Sequence, residues 1–168
     1  MVTWFPPDVD WLKLNTDGSL ADDRGGYGAV IRNDRAEFLI GLAGRLDLPS
    51  INLLELKAIE KGIWLGIQLG ASHLWVESDS TTALAWIHGK GNAPWSSFRS
   101  LRSIHHGLQQ LQGWKASHIY REGNSPADLA ASFQLTRGET TFYLENLWNE
   151  IREAMDQDRK MEGYLRKS

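Results

Sequence analysis

Four carboxylates, Asp17, Glu55, Asp79 and Asp128, stand where structure alone explains them poorly: each falls at the end of a strand pattern or near the start of a helical one. Carboxylate oxygens are hard ligands suited to magnesium or manganese. Two such ions bridged by shared carboxylates can activate a water and stabilise a leaving oxygen in phosphodiester cleavage. Clustering also demands cations, because acids within a few ångströms of one another repel and their pKa values would otherwise rise. Singly, each acid has an ordinary reading. Asp17 suits a strand-end turn, Glu55 the first turn of a helix, Asp79 a helix N-cap, and Asp128 the far end of a capping box opened by Ser125. The case for chemistry rests on the four together.

The elements that must position them can be read from periodicity. From Leu12 to Thr16 the pattern is that of a strand, with Leu12, Leu14 and Thr16 on one face and Trp11, Lys13, Asn15 and Asp17 on the other. Gly18 then permits a turn, so the strand delivers Asp17 to its carboxyl edge, where ligands bind in open α/β sheets. Residues 21–26 read as a loop. Residues 27–32 and 37–43 read as two strands joined by the turn Asn33-Asp34-Arg35-Ala36, which suggests an antiparallel meander. A helix is expected over about 52–69, capped by Ser50 or Asn52. Ala58, Gly62 and Gly66 form a small-residue stripe on it, with Glu55 at its head, aimed at the sheet. The apolar run 73–78 ends on Asp79. A crossover helix between two strands favours parallel pairing, which sets Asp17 beside Asp79. Helices are expected over 80–88, 95–111 and 125–135, with a strand over 114–121.

The 168-residue chain divides on this reading into an extended lead-in over 1–9, a domain over 10–137 and a charged, amphipathic helical tail over 138–168. Leu144, Leu147, Trp148, Ile151 and Met155 share a stripe on that tail. The tail docks on the core, pairs with a second copy, or leads to a neighbouring domain. The chain has no cysteine, which excludes disulfides, thiolate metal sites and a cysteine nucleophile, and suits an intracellular protein of nucleus or cytoplasm. A net charge of −3 provides no general basic field, so nucleic acid would be bound through a local groove or through metal. No run is apolar enough to cross a membrane. Most of the eight tryptophans are expected in the core or a groove wall.

Other candidates are weaker. Gly25-Gly26-Tyr27-Gly28 has the look of a phosphate loop, but a strand follows it rather than a helix. His105 and His106 are adjacent and diverge on a helix, which disfavours a shared zinc. His73 and His118 fall in apolar strands and read as core residues. Ser19, Ser78 and Ser80 form no visible triad with a histidine.

The stretches Leu14-Asn15-Thr16-Asp17-Gly18-Ser19, Glu55-Leu56-Lys57-Ala58, Glu77-Ser78-Asp79-Ser80 and 121–130 resemble ribonuclease H type 1 in motif and order. The likeness is greatest to the divergent ribonuclease H-like domains of plant retroelement reverse transcriptases. It implies an α/β fold with a five-stranded mixed sheet in the order 3-2-1-4-5, strands 1–3 antiparallel, and flanking helices. It implies an endonuclease cutting the RNA strand of RNA–DNA hybrids to leave a 3′-hydroxyl and a 5′-phosphate. Asp17, Glu55, Asp79 and Asp128 would hold two Mg2+ ions, with Mn2+ a possible substitute. One ion would activate water and the other steady the departing 3′-oxygen. Asn52, Ser19, Ser80, Arg121 and Asn124 would contact nucleic acid. The hybrid, and a reverse transcriptase domain of the same polyprotein, are the implied partners, and the chain would be a monomer or a tail-mediated dimer. A catalytically weak or inactive module binding nucleic acid or protein is the alternative. Two departures bear on this: the loop before the last acid, Arg121-Glu122-Gly123-Asn124, lacks the histidine many relatives carry, and Gly89-Lys90-Gly91 replaces a longer basic handle.

Overall fold

The computed structural model describes residues 2–133 and 135–167, with side chains as far as residue 162. Met1 of the expected lead-in and Ser168 of the expected tail lie outside the described residues. Strand β1 (Trp11–Ala21) pairs antiparallel with β2 (Arg24–Arg32), and β2 with β3 (Phe38–Arg45). Helix α1 (Ile51–Gln68) then crosses to β4 (His73–Ser78), which lies parallel to β1. Helices α2 (Thr81–Ile87) and α3 (Phe98–Gln109) lead to β5 (Gly113–His118), parallel to β4. Helix α4 (Ser125–Ala131), strand β6 (Glu139–Phe142) and helix α5 (Asn149–Lys167) complete the chain.

The expected strand order is observed and extended: the sheet runs β5-β4-β1-β2-β3-β6, with six strands instead of five. Residues 139–142 were expected at the head of a helical tail. They pair instead with the open edge of β3, from Gly41–Phe142 to Gly44–Glu139. Pairing there satisfies backbone groups that a free edge leaves unmatched. Tyr27 Oη donates to Glu139 Oε2 at 2.6 Å and holds the strand in place.

Gly18 is not a turn residue. β1 continues to Ala21, and the reversal is made by Asp22 and Asp23, Asp22 with a φ of 54°. A Cβ on Gly18 would lie 2.7 Å from the backbone nitrogen of Glu55, so the glycine admits the first turns of α1 against the sheet. Gly25 and Gly26 likewise belong to β2 rather than to a loop.

One face of the sheet packs on α1 through Leu14, Leu74 and Val76, which meet Ile59 and Ile63. The small-residue stripe behaves as expected, since a Cβ on Gly62 would lie 2.7 Å from Leu14. The other face carries a second apolar cluster, in which Val30, Phe38 and Phe142 meet Leu147, Ile151 and Met155. The tail's apolar stripe is therefore covered within the chain, except for Leu144, which precedes α5 and is exposed. Of the eight tryptophans Trp4 is fully buried, Trp86 and Trp148 are half-buried against the apolar clusters and line clefts, and Trp95 stands 83% exposed, outside the core. His118 is also not a core residue: it is exposed, with its ring edge-on to Tyr120 at 4.9 Å.

Candidate metal centre

Three of the four acids converge. Asp17, Glu55 and Asp79 each present an oxygen within 4.8 Å of the others. The parallel pairing of β1 with β4 brings Thr16 opposite Ser78, so the next residues, Asp17 within β1 and Asp79 just past β4, stand side by side. Close contact at Gly18 then brings the Glu55 turn of α1 over them. Asp128, in the first turn of α4, lines the same cleft without joining the three-oxygen group.

The ordinary roles open to these acids are filled elsewhere. Ser50 caps α1, its Oγ accepting from Leu53 N–H at 3.3 Å. Glu55 lies beyond the first turn and is 5% exposed. Ser80 caps α2 by accepting from Ala83 N–H at 3.1 Å, which leaves Asp79 free. Asn124, not Ser125, is the N-cap residue of α4, and no side chain makes a capping bond there, so Asp128 belongs to no capping box.

The electrostatics favour a cation. Asp17 Oδ1 accepts from Gly18 N–H at 3.0 Å, whereas Glu55 Oε2 is buried without a hydrogen-bond partner among the described residues. A buried acceptor without a donor carries a desolvation penalty that a cation removes. The Asp17 carboxyl is held well above the usual range, first by burial and then by the charges of Glu55 and Asp79. Glu55 is raised chiefly by burial; hydrogen bonding to Asp17 opposes the shift, and repulsion from Asp79 adds to it. The donor set is all oxygen and suits Mg2+ or Mn2+.

These shifts set a pH dependence. Above the unfolded-chain value of about 4, the folded protein holds more protons on these acids than the unfolded chain does, so its stability falls as pH rises. In chelator the thermal midpoint is expected to drop between about pH 5 and about pH 7.5, and saturating Mg2+ or Mn2+ to flatten that slope. Calorimetry across this range, with and without metal, checks it, and a midpoint that climbs with pH in chelator would contradict it. Lys13, pushed down to about 8 by burial despite its Glu77 partner, begins to lose its proton only at the upper end of that range.

The remaining expected residues are less uniform. Arg121 is exposed and lines the cleft, as does half-buried Ser19. Asn52 is half-buried in the first turn of α1, and Ser80 is engaged as a cap. Asn124 corrects the expectation of a nucleic-acid contact. It is fully buried, its Oδ1 accepts from Asn15 and its Nδ2 donates to the Thr16 carbonyl, so it faces protein on both sides. Sequence reasoning missed Asn15 and Glu77, buried polar residues two positions before Asp17 and Asp79. Their strand-face periodicity with the acids was the available signal.

A family model described as reverse transcriptase-like matches residues 15–134. A putative ribonuclease H protein of Arabidopsis thaliana is 28% identical over 149 residues, covering 86% of this chain. The chain spans only 24% of that relative's length. Among solved structures, the N-terminal RNase H domain of a Mycobacterium tuberculosis protein, solved as a fusion with maltose-binding protein, superposes with a TM-score of 0.68 at 18% identity, covering 90% of this chain and 97% of that one. An RNase H1 isolated from compost, in complex with RNA/DNA hybrid, gives a TM-score of 0.64 at 20% identity, covering 71% and 92%. At such identities the structural likeness establishes the fold and no more.

Proposed function

Because the chain belongs to the reverse transcriptase-like family and has the ribonuclease H fold, we propose that it is a metal-dependent endonuclease hydrolysing the RNA strand of RNA–DNA hybrids. The products are a 3′-hydroxyl and a 5′-phosphate. The observation that carries this reading is the convergence of Asp17, Glu55 and Asp79 within 4.8 Å, with Glu55 Oε2 buried and without a hydrogen-bond partner among the described residues. Asp17, Glu55, Asp79 and Asp128 would hold two Mg2+ ions, with Mn2+ as a substitute; Asp128 lines the same cleft within hydrogen-bonding range of Asp17. Divalent ions bound there supply a more acidic water and positive charge for the leaving oxygen.

The chain's own residues orient the reaction. Asp17, fixed by Gly18 N–H, sets the floor of the cleft. Among the side chains lining that cleft Arg121 is the cationic one, and it is placed to meet a phosphate. Arg121→Ala is expected to raise KM for hybrid about two- to tenfold and to lower the salt slope of binding by about one, with kcat nearly unchanged. Binding titrations at several salt concentrations check this, and an unaltered slope would remove Arg121 from the interface.

The proposal extends to the partners: an RNA–DNA hybrid, a reverse transcriptase domain of the same polyprotein, and a monomeric or tail-paired chain acting in nucleus or cytoplasm. The direct test uses a hybrid labelled on its RNA strand, with Mg2+, Mn2+ or chelator, beside single-stranded RNA and duplex DNA. Hybrid-selective, metal-dependent RNA cleavage supports the reading. Tight hybrid binding without cleavage would instead make the chain a binding module.

A further inference from the structure

Asn15 stands two residues before Asp17, and Glu77 two before Asp79, so strand periodicity puts each pair on a shared face. Asn15 is 0% and Glu77 6% exposed, and they meet beneath the acids. Asn15 Nδ2 donates to Glu77 Oε1 at 3.0 Å and to Asn124 Oδ1 at 3.1 Å. Asn124 Nδ2 in turn donates to the Thr16 carbonyl at 2.9 Å. These bonds tie together β1, β4 and the start of α4, the three elements that lead to Asp17, Asp79 and Asp128.

Sheet pairing alone fixes β1 against β4. Helix α4 rests on the sheet through small buried residues, Ala127, Ala130 and Ala131. Packing of that kind is non-directional and supplies no hydrogen-bonded register between helix and sheet. The two Asn124 bonds supply one. The arrangement is closed from the far side. Asn15 Oδ1 accepts from Trp4 Nε1 at 2.9 Å and from Arg32 Nη2 at 3.4 Å. Arg32 lies over the Trp4 ring at 3.6 Å and pairs with Asp158 of α5 at 2.7 Å. Lys13 pairs with Glu77 at 3.1 Å. Buried charges and amides in such number gain little over apolar packing, so fixed geometry is the property they explain.

We propose that Asn15, Glu77 and Asn124 are positioning residues for the acid cluster, and that Trp4 and the Arg32–Asp158 pair, from the lead-in and the C-terminal helix, hold them from behind. The inference rests on the proposed nuclease reading, but two of its three readouts do not. In the 168-residue chain Asn124→Ala removes both cross-links. Mn2+ affinity, followed by electron paramagnetic resonance of the free ion, is expected to weaken about tenfold. Hydrogen exchange of the amides at 127–131 is expected to accelerate about tenfold. Hybrid cleavage at saturating substrate is expected to fall about tenfold or more, with KM nearly unchanged.

Trp4→Phe keeps an aromatic ring in the buried site beside Arg32 but removes the Nε1–H donor to Asn15 together with part of the ring volume, a packing loss for which Ile104→Ala is the control. It is expected to move the same three readouts by roughly two- to fivefold, and it decides the question if Asn124→Ala does not fold. Ile104→Ala thins the core under α3, away from the network, and is expected to lower the thermal midpoint alone. Native-like Mn2+ affinity and exchange in Asn124→Ala, or matching losses in Ile104→Ala, would overturn the proposal. A native chain that binds Mn2+ but cuts no hybrid would fail the nuclease reading, and the positioning role would then be judged on affinity and exchange.

Discussion

Asp79→Asn is expected to lower metal-dependent cleavage by about a thousandfold or more while hybrid binding changes little. The substitution is nearly isosteric and removes one of the three converging oxygens' charge. It disturbs no cap, because Ser80 performs that role for α2, and no core, because Asp79 is only half-buried. Its effect on stability distinguishes lost chemistry from lost folding. Asp79 raises the carboxyls of both Asp17 and Glu55 by repulsion. Relieving that repulsion is expected to stabilise the cation-free protein as pH rises to about 8 and beyond, where Glu55 ionises beside it. A variant that is inactive yet more resistant to urea in chelator fits the account. One that is inactive and less stable would place Asp79 among the structural residues.

The second large effect falls on stability. Gly28 of β2 sits opposite Asp17 in the sheet, and a Cβ on it would lie 2.4 Å from the backbone nitrogen of Ala131 and 2.7 Å from the Ala130 carbonyl carbon. Those are atoms of α4 that cannot swing aside, so Gly28→Ala must displace the helix that carries Asp128. A loss of about 2–3 kcal/mol is expected in denaturant titration, with cleavage reduced as well. Gly66→Ala is the matching control. Its Cβ would meet Leu74 at an ordinary 3.4 Å, and alanine favours the helix, so the same change there is expected to be neutral or stabilising by up to about 1 kcal/mol. Equal losses at both positions would show that Gly28 has no special relation to α4.

Much of the fold and the candidate site could be read from the chain, because the acids coincide with breaks in periodicity. Asp17 and Asp79 end apolar runs of period two, and a helix of crossover length separates them, which dictates their parallel placement. What escaped depends on partners distant in sequence. Residues 139–142 carry strand-favouring Thr140, Thr141 and Phe142, but the run is too short to stand alone and becomes β6 by pairing with the open edge of β3. Gly18 reads as a turn in isolation, whereas its role is set by α1 pressing on it from residues 54 and 55. Asn124 beside a catalytic-type acid suggests a ligand contact until its amide is found committed to Asn15 and Thr16. Trp4, in a stretch that looks like a loose lead-in, is 1% exposed because Arg32 and Asn15 lie beneath it.

The central claim is that residues distant in the chain gather their carboxylates to seat divalent cations. Crystals of the native protein grown with Mn2+, and measured at the manganese absorption edge, test it most directly. The account predicts anomalous peaks bounded by Asp17, Glu55 and Asp79, at oxygen distances of about 2.2 Å, and their loss in Asp79→Asn. A native crystal with manganese bound elsewhere, and none between these three side chains, would contradict it.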